Sequence, residues 1–203
     1  MEAYPLFQME RRGSIPTSSL HFEKCTLYDV SWFIKKYHYS HTHPGGIDFC
    51  FRLFYDNKIA GVCVFGYMAG NPNAVPIKGY HPSYFRELMR LVLLDEVPKN
   101  SESKFIAWCL RYLKECTNLI ACISFADPKY GHTGIIYKAS NWQYLGLQKP
   151  DRPRLFINGE EIHPRMAFDK FGTSSIEEIK KKGYSVTTED REPKHKFLYL
   201  LKK

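Results

Sequence analysis

The sequence predicts an α/β protein in which a mixed central sheet is flanked by helices. Two β-prone runs, 48–55 and 59–67, are joined by the turn residues Asp56-Asn57-Lys58, which is typical of an antiparallel hairpin. Further along, strand-like and helical segments alternate, which indicates a parallel crossover. The chain has 203 residues, of which 44% are hydrophobic. This is enough for one good-sized domain with a core of its own.

The first predicted helix lies within residues 20–39. Asp29 can cap it. Its apolar residues share one face at helical spacing: Val30, Phe33, Ile34 and Tyr37. The histidine-rich segment 37–46, YHYSHTHPGG, follows and ends in Pro-Gly-Gly, which stops regular structure.

The middle of the chain carries the crossover. Residues 87–94 form a nearly continuous apolar run, as in a strand that is covered on both faces. A polar turn precedes a helix that Asn100 or Ser101 can cap. The apolar stripe of this helix is Phe105, Ile106, Cys109, Leu110 and Leu113. A second buried strand at 119–126 and a short helix at 135–140 complete the unit.

Beyond residue 147 the pattern is looser and basic residues are denser. Residues 155–162 predict a hairpin on an Asn-Gly turn, and Ser174 or Ser175 can cap a short helix. We expect one domain over residues 1–203. Its divisions are a core of about 20–147, a basic insertion or extension at 148–195, and a closing strand at 196–201.

Composition narrows the class of protein. The six cysteines form no CxxC pair and several lie in apolar runs, so we expect buried free thiols and no zinc finger or disulfide framework. No window approaches the ~20 apolar residues that span a bilayer. The first residues lack the order of a signal peptide. We therefore expect a cytosolic protein with no membrane partner. The sequence predicts no oligomeric state.

Two features of the middle region suit an anionic ligand. The first turn of the predicted helix near Ser101 has unpaired backbone N–H groups, and with Asn100 and Ser103 it could cradle a pyrophosphate. An ordinary capped helix is the alternative. Arg90 lies in an apolar strand, where an unpaired charge is costly. Its partner is either a carboxylate such as Glu87 or an anionic group of a cofactor.

Three other features carry candidate chemistry. The glycines of Gly131-His132-Thr133-Gly134 permit close approach to the backbone. Tyr137 either donates a proton to a leaving thiolate or packs in the core. His38, His41 and His43, taken alone, suggest a metal cluster.

Two stretches carry a family resemblance. ELMRLVLLDEVPKNSESKFIAWCLRYL (87–113) and SFADPKYGHTGIIYKASNWQYLG (124–146) resemble the bacteriophage Mom family of DNA-modification proteins, a branch of the GCN5-related N-acetyltransferase (GNAT) fold. HYS at 38–40 is similar to a motif in the N-terminal part of that family. The similarity covers about residues 37–147. The usual GNAT phosphate loop, Gln/Arg-x-x-Gly-x-Gly/Ala, is absent, and Pro98 to Ser103 stands in its place.

The resemblance implies a function. Mom-type proteins convert adenine in DNA to its N6-carbamoylmethyl form, which protects phage DNA from restriction enzymes in the host cytoplasm. The resemblance also places Arg90 and Ser103 near a cradle for acetyl-CoA or another CoA-like donor. It further implies that Asp127 and Tyr137 lie near the reacting centre. The family's association with iron makes His38, Tyr39 and Asp127 candidate ligands.

The substrate chemistry adds candidate DNA contacts. The exocyclic amine of adenine is a poor nucleophile and is hard to reach within a duplex, so we expect double-stranded DNA with the base flipped out against an aromatic wall. Tyr39, Trp142 and Tyr144 are the candidates, and each could instead pack in the core. The basic residues that could form a phosphate-binding face or a solvated surface are Lys149, Arg152, Arg154, Arg165 and Lys180 to Lys182.

Two other functions stay open at this point. One is a plain GNAT N-acyltransferase that uses acetyl-CoA on a small amine or a protein. The other is a metal-dependent nuclease or DNA-binding protein with His38, His41 and His43 as ligands.

Overall fold

The computed structural model describes residues 20–68, 75–148, 153–162 and 164–202. The strands are β1 (His21–Cys25), β2 (Ile47–Tyr55), β3 (Lys58–Gly66), β4 (Phe85–Leu93), β5 (Ala121–Ala126), β6 (Gln143–Gln148), β7 (Arg154–Ile157), β8 (Glu160–Glu161), β9 (Val186–Glu189) and β10 (Lys194–Leu200). The helices are α1 (Leu27–Tyr37), α2 (Ser101–Cys116), α3 (Ile135–Ala139), α4 (Pro164–Phe171) and α5 (Ile176–Lys181). The loop predicted at 69–80 lies partly outside the described residues.

A seven-stranded mixed sheet forms the main body, in the order β1-β2-β3-β4-β5-β10-β6. From β1 to β4, each strand runs antiparallel to the next. The predicted hairpin turns on Asp56 and Asn57, both with positive φ. The strands β4 and β5 are parallel and are connected through α2, which confirms the predicted crossover. The predicted mixed sheet flanked by helices is therefore confirmed.

The helix predicted within residues 20–39 is confirmed as α1, and a strand that was not predicted precedes it. Residues 21–25 form a strand that pairs with β2, and α1 begins only at Leu27. Asp29 sets this start, because its carboxylate accepts hydrogen bonds from the backbone N–H (2.8 Å) and the hydroxyl (2.7 Å) of Thr26. The helix ends at His38, whose backbone N–H bonds to Ile34.

Helices cover both faces of the sheet. Alternate residues of β2 point to opposite sides, so that Phe51 and Leu53 lie in the same buried cluster as α2, while Cys50 lies in the cluster of α1. The whole predicted stripe of α2 is buried. All six cysteines are free thiols and four are buried.

The parallel strands β4 and β5 separate at their carboxyl ends. Their pairing runs from Phe85 opposite Ala121 to Leu88 opposite Ser124. Beyond this point β4 continues to Leu93 and β5 to Ala126 without further pairing between them. The separation opens a cleft in the middle of the sheet.

A second sheet lies in the chain between β6 and β10. It has the order β8-β7-β9, and it packs with α4 and α5 around its own buried cluster. The predicted hairpin turns at Asn158 and Gly159, which have positive φ. Sequence patterns missed α4 and β9. A strand was predicted at 196–201, and the structure has β10 at Lys194–Leu200, where it inserts between β5 and β6.

The division into a core, an insertion and a closing strand within one domain stays a prediction. Among the described residues, no helix has both the length and the apolar character needed to cross a membrane.

Candidate active site

The separation of β4 and β5 leaves a cavity of about 280 Å³, which we call the sheet cavity. One wall comes from the ends of the two strands and the other from the loop after β5. The residues that line it are His38, Tyr39, Leu88, Met89, Leu91, Phe125, Ala126, Asp127, Gly131 to Gly134, Ile135, Ile136 and Tyr137. The structure thus brings together four residues that the sequence had singled out from distant positions: His38, Tyr39, Asp127 and Tyr137.

Asp127 is held in place from two sides. One carboxylate oxygen accepts a hydrogen bond from the backbone N–H of Lys129 (3.1 Å), which fixes the turn Pro128–Tyr130. The other oxygen pairs with the ammonium group of Lys194 on β10 at 2.8 Å. The carboxylate is therefore oriented by its own turn and by the closing strand.

Tyr137 is buried, and its phenol closes a short chain of hydrogen bonds. The hydroxyl of Ser124 lies 2.8 Å from the phenol oxygen and 3.1 Å from the carbonyl oxygen of Leu88. Because a carbonyl can only accept, the Ser124 proton points to Leu88, and the Tyr137 phenol donates to Ser124. Burial raises the pKa of Tyr137 to about 12, against the lowering effect of Ser124. Tyr137 therefore holds its proton at neutral pH.

His38 is a buried, neutral histidine. Its Nδ1 faces two groups of Ser40, the hydroxyl at 2.9 Å and the backbone N–H at 3.1 Å. Because the backbone N–H can only donate, Nδ1 is the acceptor and the proton of the neutral ring is on Nε2. Burial, and after it the charge of Arg90, lowers the pKa of His38 to about 4. At neutral pH His38 is a hydrogen-bond donor and not a proton acceptor.

Tyr39 is the most accessible aromatic side chain of this group, with 45% of its surface exposed. Its ring centroid lies 4.2 Å from that of His38 on one side and 4.2 Å from that of Tyr130 on the other. Partial burial raises the pKa of its phenol. Tyr39 and Tyr130 together present an aromatic edge at the mouth of the sheet cavity.

A second cavity, also of about 280 Å³, adjoins the first, and we call it the charged cavity. It lies between the main sheet and the small sheet. Its lining consists of Tyr39, Ser40, Arg90, Asp127, Lys129, Tyr130, Arg154, Glu161, Arg191, Glu192 and Lys194. Tyr39 and Asp127 line both cavities and so mark the place where they meet.

Arg90 lines the charged cavity. Its guanidinium donates to the carbonyl oxygens of Thr42 (3.2 Å) and Met89 (2.7 Å). Burial lowers its pKa, and the nearby Tyr39 and Glu87 act in the opposite direction. Arg90 thus lies near both Tyr39 and Glu87, and the charge of Glu87 acts on its guanidinium. Neither cavity is lined by Asn100, Ser101 or Ser103.

The predicted cradle at α2 has a different chemistry from that expected. Asn100 has a left-handed backbone and makes no side-chain cap. The hydroxyl of Ser101 donates to Pro98 (2.6 Å), and that of Ser103 donates to the carbonyl of Asn100 (3.0 Å). Both hydroxyl protons are directed to backbone carbonyls in this structure, and the roles of Asn100, Ser101 and Ser103 in holding a cofactor stay predictions. Backbone N–H groups of the first turn are what this helix can offer to an anion.

The proposed iron ligands do not fit a metal site in this arrangement. A histidine that binds a metal through Nε2 needs its proton on Nδ1, where His38 instead accepts the Ser40 N–H. In the part of the chain that the structure describes, no group of three or more His, Cys, Asp or Glu side chains could hold a metal ion.

The three-histidine cluster is not formed either. The ring of His41 donates through Nδ1 to the carbonyl of Lys35 at 2.9 Å, and His43 is exposed. The interpretation of His38, His41 and His43 as joint metal ligands is therefore corrected.

The predicted DNA contacts divide into three cases. Trp142 is 4% exposed and packs against Tyr137 and Tyr199, so neither of its faces is open to a base, which corrects its assignment to the stacking wall. Tyr144 is exposed and its phenol lies 2.9 Å from Nδ1 of His195. Arg154 lines the charged cavity but pairs with Glu161 and Glu189, at 3.9 Å and 3.4 Å.

The remaining basic positions stand apart from the two cavities or cannot be placed. Arg152 and Lys149 lie outside the described residues, as does the side chain of Arg165. Lys180 to Lys182 do not line either cavity.

Sequence reasoning missed four residues of the site: Ser124, Tyr130, Arg191 and Lys194. Ser124 and Tyr130 lie in the stretch that carries the family resemblance, and an aromatic residue beside Asp127 was a usable signal for Tyr130. Lys194 meets Asp127 only because β10 inserts beside β5, a pairing that local patterns do not indicate.

Comparisons with known proteins identify a family and a fold. Residues 19–203 match the Mom protein family. Methylcarbamoylase mom of Escherichia phage Mu is 30% identical over 134 residues, which are 64% of this chain and 55% of that protein. The chain thus spans about half the length of this curated relative.

Solved structures establish the fold. Ribosomal-protein-S18-alanine N-acetyltransferase of Escherichia coli superposes with a TM-score of 0.52 at 7% identity, covering 91% of this chain and 95% of that one. The putative acetyltransferase yncA of Salmonella typhimurium, solved with its cofactor acetyl-CoA, gives 0.53 at 8% identity with the same coverage. The predicted GNAT-like acyltransferase fold is confirmed.

Proposed function

The chain belongs to the Mom protein family, and from this premise we propose that it is a transferase that modifies adenine in DNA. The product is N6-carbamoylmethyladenine, and its role is to protect phage DNA from restriction in the cytoplasm of the bacterial host. The name of the phage Mu relative, methylcarbamoylase, supports the chemical class. The observation that carries the proposal is the meeting of two cavities at Tyr39 and Asp127.

The sheet cavity is the donor side in this proposal. It lies between two parallel strands that have separated, in a fold shared with a structure that holds acetyl-CoA. The cavity has room beside Gly131, where an added Cβ would meet no atom within 4 Å. A CoA-like donor would place its acyl end here, and backbone N–H groups at the start of α2 would hold its phosphates.

The product restricts the donor. A carbamoylmethyl group is attached through its methylene carbon, so acyl transfer from acetyl-CoA alone cannot make it. The donor must therefore carry a carbon that bears both the carboxamide, or a precursor of it, and a leaving group.

The charged cavity is the acceptor side. An adenine that leaves the duplex needs a surface on which to stack and charges near its phosphate. Tyr130 supplies exposed ring surface, and Tyr39 supports it from behind because it packs between Tyr130 and His38. The base would therefore lie against the face of Tyr130 that points away from Tyr39, with its exocyclic amine toward Asp127.

The transfer step balances with two residues of the site. The bond from N6 of adenine to the transferred carbon forms, and the bond from that carbon to the leaving group breaks. Asp127 takes one proton from N6, and Tyr137 gives its proton to the leaving group. The N–H of His38 at Nε2 donates a hydrogen bond to negative charge that develops on the donor.

Protection of plasmid DNA tests the proposal. Plasmid from cells that express the protein should resist restriction enzymes that adenine modification blocks, and plasmid from cells that express Tyr137→Phe should be cut. Full cleavage of both plasmids from cells with abundant folded protein would reject the proposal. Acetylation of a small amine by the same protein, with no effect on DNA, would favour a plain N-acyltransferase.

A further inference from the structure

The charged cavity has an excess of positive charge. Five of its lining side chains are cationic and three are carboxylates. Two of the carboxylates already have cationic partners within the lining: Asp127 with Lys194 at 2.8 Å, and Glu161 with Arg154 at 3.9 Å. An anion that enters the cavity would therefore be attracted by the cationic side chains that are not part of these two pairs.

Arg191 carries the specific signal. Its side-chain Nε is buried and has no hydrogen-bond partner among the described residues. A buried guanidinium N–H without an acceptor is unfavourable, and structures rarely keep one without a reason. The planar fork of donors on a guanidinium matches the oxygens of a phosphate group. Arg191 lines the charged cavity and its hydrogen-bonding capacity is not fully used by the described residues, so its guanidinium is available to an anion there.

The position of Arg191 identifies which anion would fit. Arg191 lies between β9 and β10, three residues before the lysine that pairs with Asp127. It lines the same cavity as Tyr39 and Tyr130. A phosphate at Arg191 would thus be near a base that rests on the tyrosine pair. The start of α2, where the donor's phosphates are proposed to lie, contributes no residue to this cavity.

We infer that the charged cavity binds the backbone phosphate next to the target nucleotide, and that Arg191 is the residue that holds it. This inference rests on the proposed action on DNA and names the contact that positions the acceptor strand. The small sheet and the segment after it thereby have a function: they close one side of the cavity over the nucleotide.

Binding measurements with a matched control test the inference. The probe is a labelled duplex with a single adenine, titrated with Arg191→Gln, with Arg191→Lys and with Arg111→Gln, which removes an exposed charge on α2. We expect Arg191→Gln to weaken binding about tenfold at low salt and to reduce the salt slope by about one. Arg191→Lys should keep the slope, and Arg111→Gln should match the wild type.

A second duplex locates the phosphate. It carries a neutral methylphosphonate linkage beside the adenine. If Arg191 contacts this phosphate, the neutral linkage weakens wild-type binding, and Arg191→Gln adds no further loss. If the neutral linkage and Arg191→Gln each weaken binding and their losses of binding free energy add, the inference is overturned. If Arg191→Gln is unfolded, the same cycle with the uncharged Arg191→Met gives the decision.

The other source of phosphate is the donor, and coenzyme A serves as its probe. Loss of coenzyme A affinity in Arg191→Gln with unchanged DNA binding would overturn the inference. Analysis of the DNA nucleosides distinguishes failure of the phosphate site from failure of the proposed function. An Arg191 effect on DNA binding without any modified adenine rejects the function alone, and modified adenine without an Arg191 effect rejects the phosphate site alone.

Discussion

The hydroxyl of Ser124 lies 2.8 Å from the phenol oxygen of Tyr137, at the level where β4 and β5 cease to pair. The carbonyl of Leu88 takes the Ser124 proton, so the phenol is the donor in this pair. Tyr137 thus lines the sheet cavity with its proton retained on the phenol. In the proposed reaction the phenol would give this proton to the leaving group, and Ser124 would lose the hydrogen bond that it accepts from Tyr137.

Replacing Tyr137 with Phe tests this role. The ring and its packing against Trp142 and Phe197 are retained, and the hydroxyl is lost together with its hydrogen bond to Ser124. We expect kcat for DNA modification to fall by about 10²–10⁴-fold, the usual range for a general acid, with KM little changed. The matched control is Tyr112→Phe on α2, which should be as active as the wild type. Equal activity of Tyr137→Phe and the control would remove Tyr137 from the chemistry.

Replacing Tyr130 with Ala tests the stacking surface, because Tyr130 is the exposed end of the stack that it forms with Tyr39 and His38. Stacking of a base on an aromatic ring contributes about 1–3 kcal/mol, so KM for DNA should rise about ten- to a hundredfold. Tyr130→Phe keeps the ring and should retain most of the affinity. Tyr28→Ala on α1 removes a tyrosine that is 92% exposed and should change nothing. Tight DNA binding by Tyr130→Ala would place the base elsewhere.

The two glycines of the loop after β5 should differ in their tolerance of alanine. Both have positive φ, at +73° for Gly131 and +75° for Gly134. A Cβ on Gly131 would face open space, whereas one on Gly134 would overlap the ring of Phe197. Gly131→Ala should cost about 1–2 kcal/mol of unfolding free energy from backbone strain. Gly134→Ala should cost about 1–3 kcal/mol more from overpacking.

Chemical denaturation of the two variants measures this difference directly. Gly131→Ala controls for the backbone strain common to both positions. Equal stability of the two variants would mean that Phe197 does not lie against Gly134 in solution.

Acid should destabilise the protein through His38. Burial lowers its pKa to about 4, from the ordinary histidine value of 6.5 that applies in the unfolded chain. Between these values the unfolded chain binds more protons, so the contribution of neutral His38 is present above the higher value and is lost as pH falls toward the lower one. The free energy of unfolding should therefore decrease by up to about 2 kcal/mol between about pH 7 and pH 5.

Comparison with His38→Gln isolates this effect. The variant should lose less stability over the same pH interval, whereas His43→Gln, at an exposed position, should follow the wild type. A wild type and a His38→Gln variant with the same pH dependence would contradict the assignment of His38 as a buried neutral ring.

Local patterns predicted the elements that build the cleft but not all of its contacts. The strand β4, the helix α2 and the strand β5 were predictable because their apolar spacing is regular over many residues. The ion pair of Asp127 with Lys194 was not, because it depends on β10 inserting beside β5 from a distant part of the chain. Sequence alone also could not decide that Trp142 is buried while Tyr39 is open, since both are aromatic residues in similar local contexts.

The central claim is that this chain modifies adenine in DNA, and mass spectrometry of nucleosides tests it most directly. DNA is taken from cells that express the wild type and from cells that express Tyr137→Phe, and is digested to nucleosides. We predict a deoxyadenosine heavier by one carbamoylmethyl group in the first sample and its loss in the second. Unmodified deoxyadenosine alone, from cells with abundant folded wild-type protein, would contradict the claim.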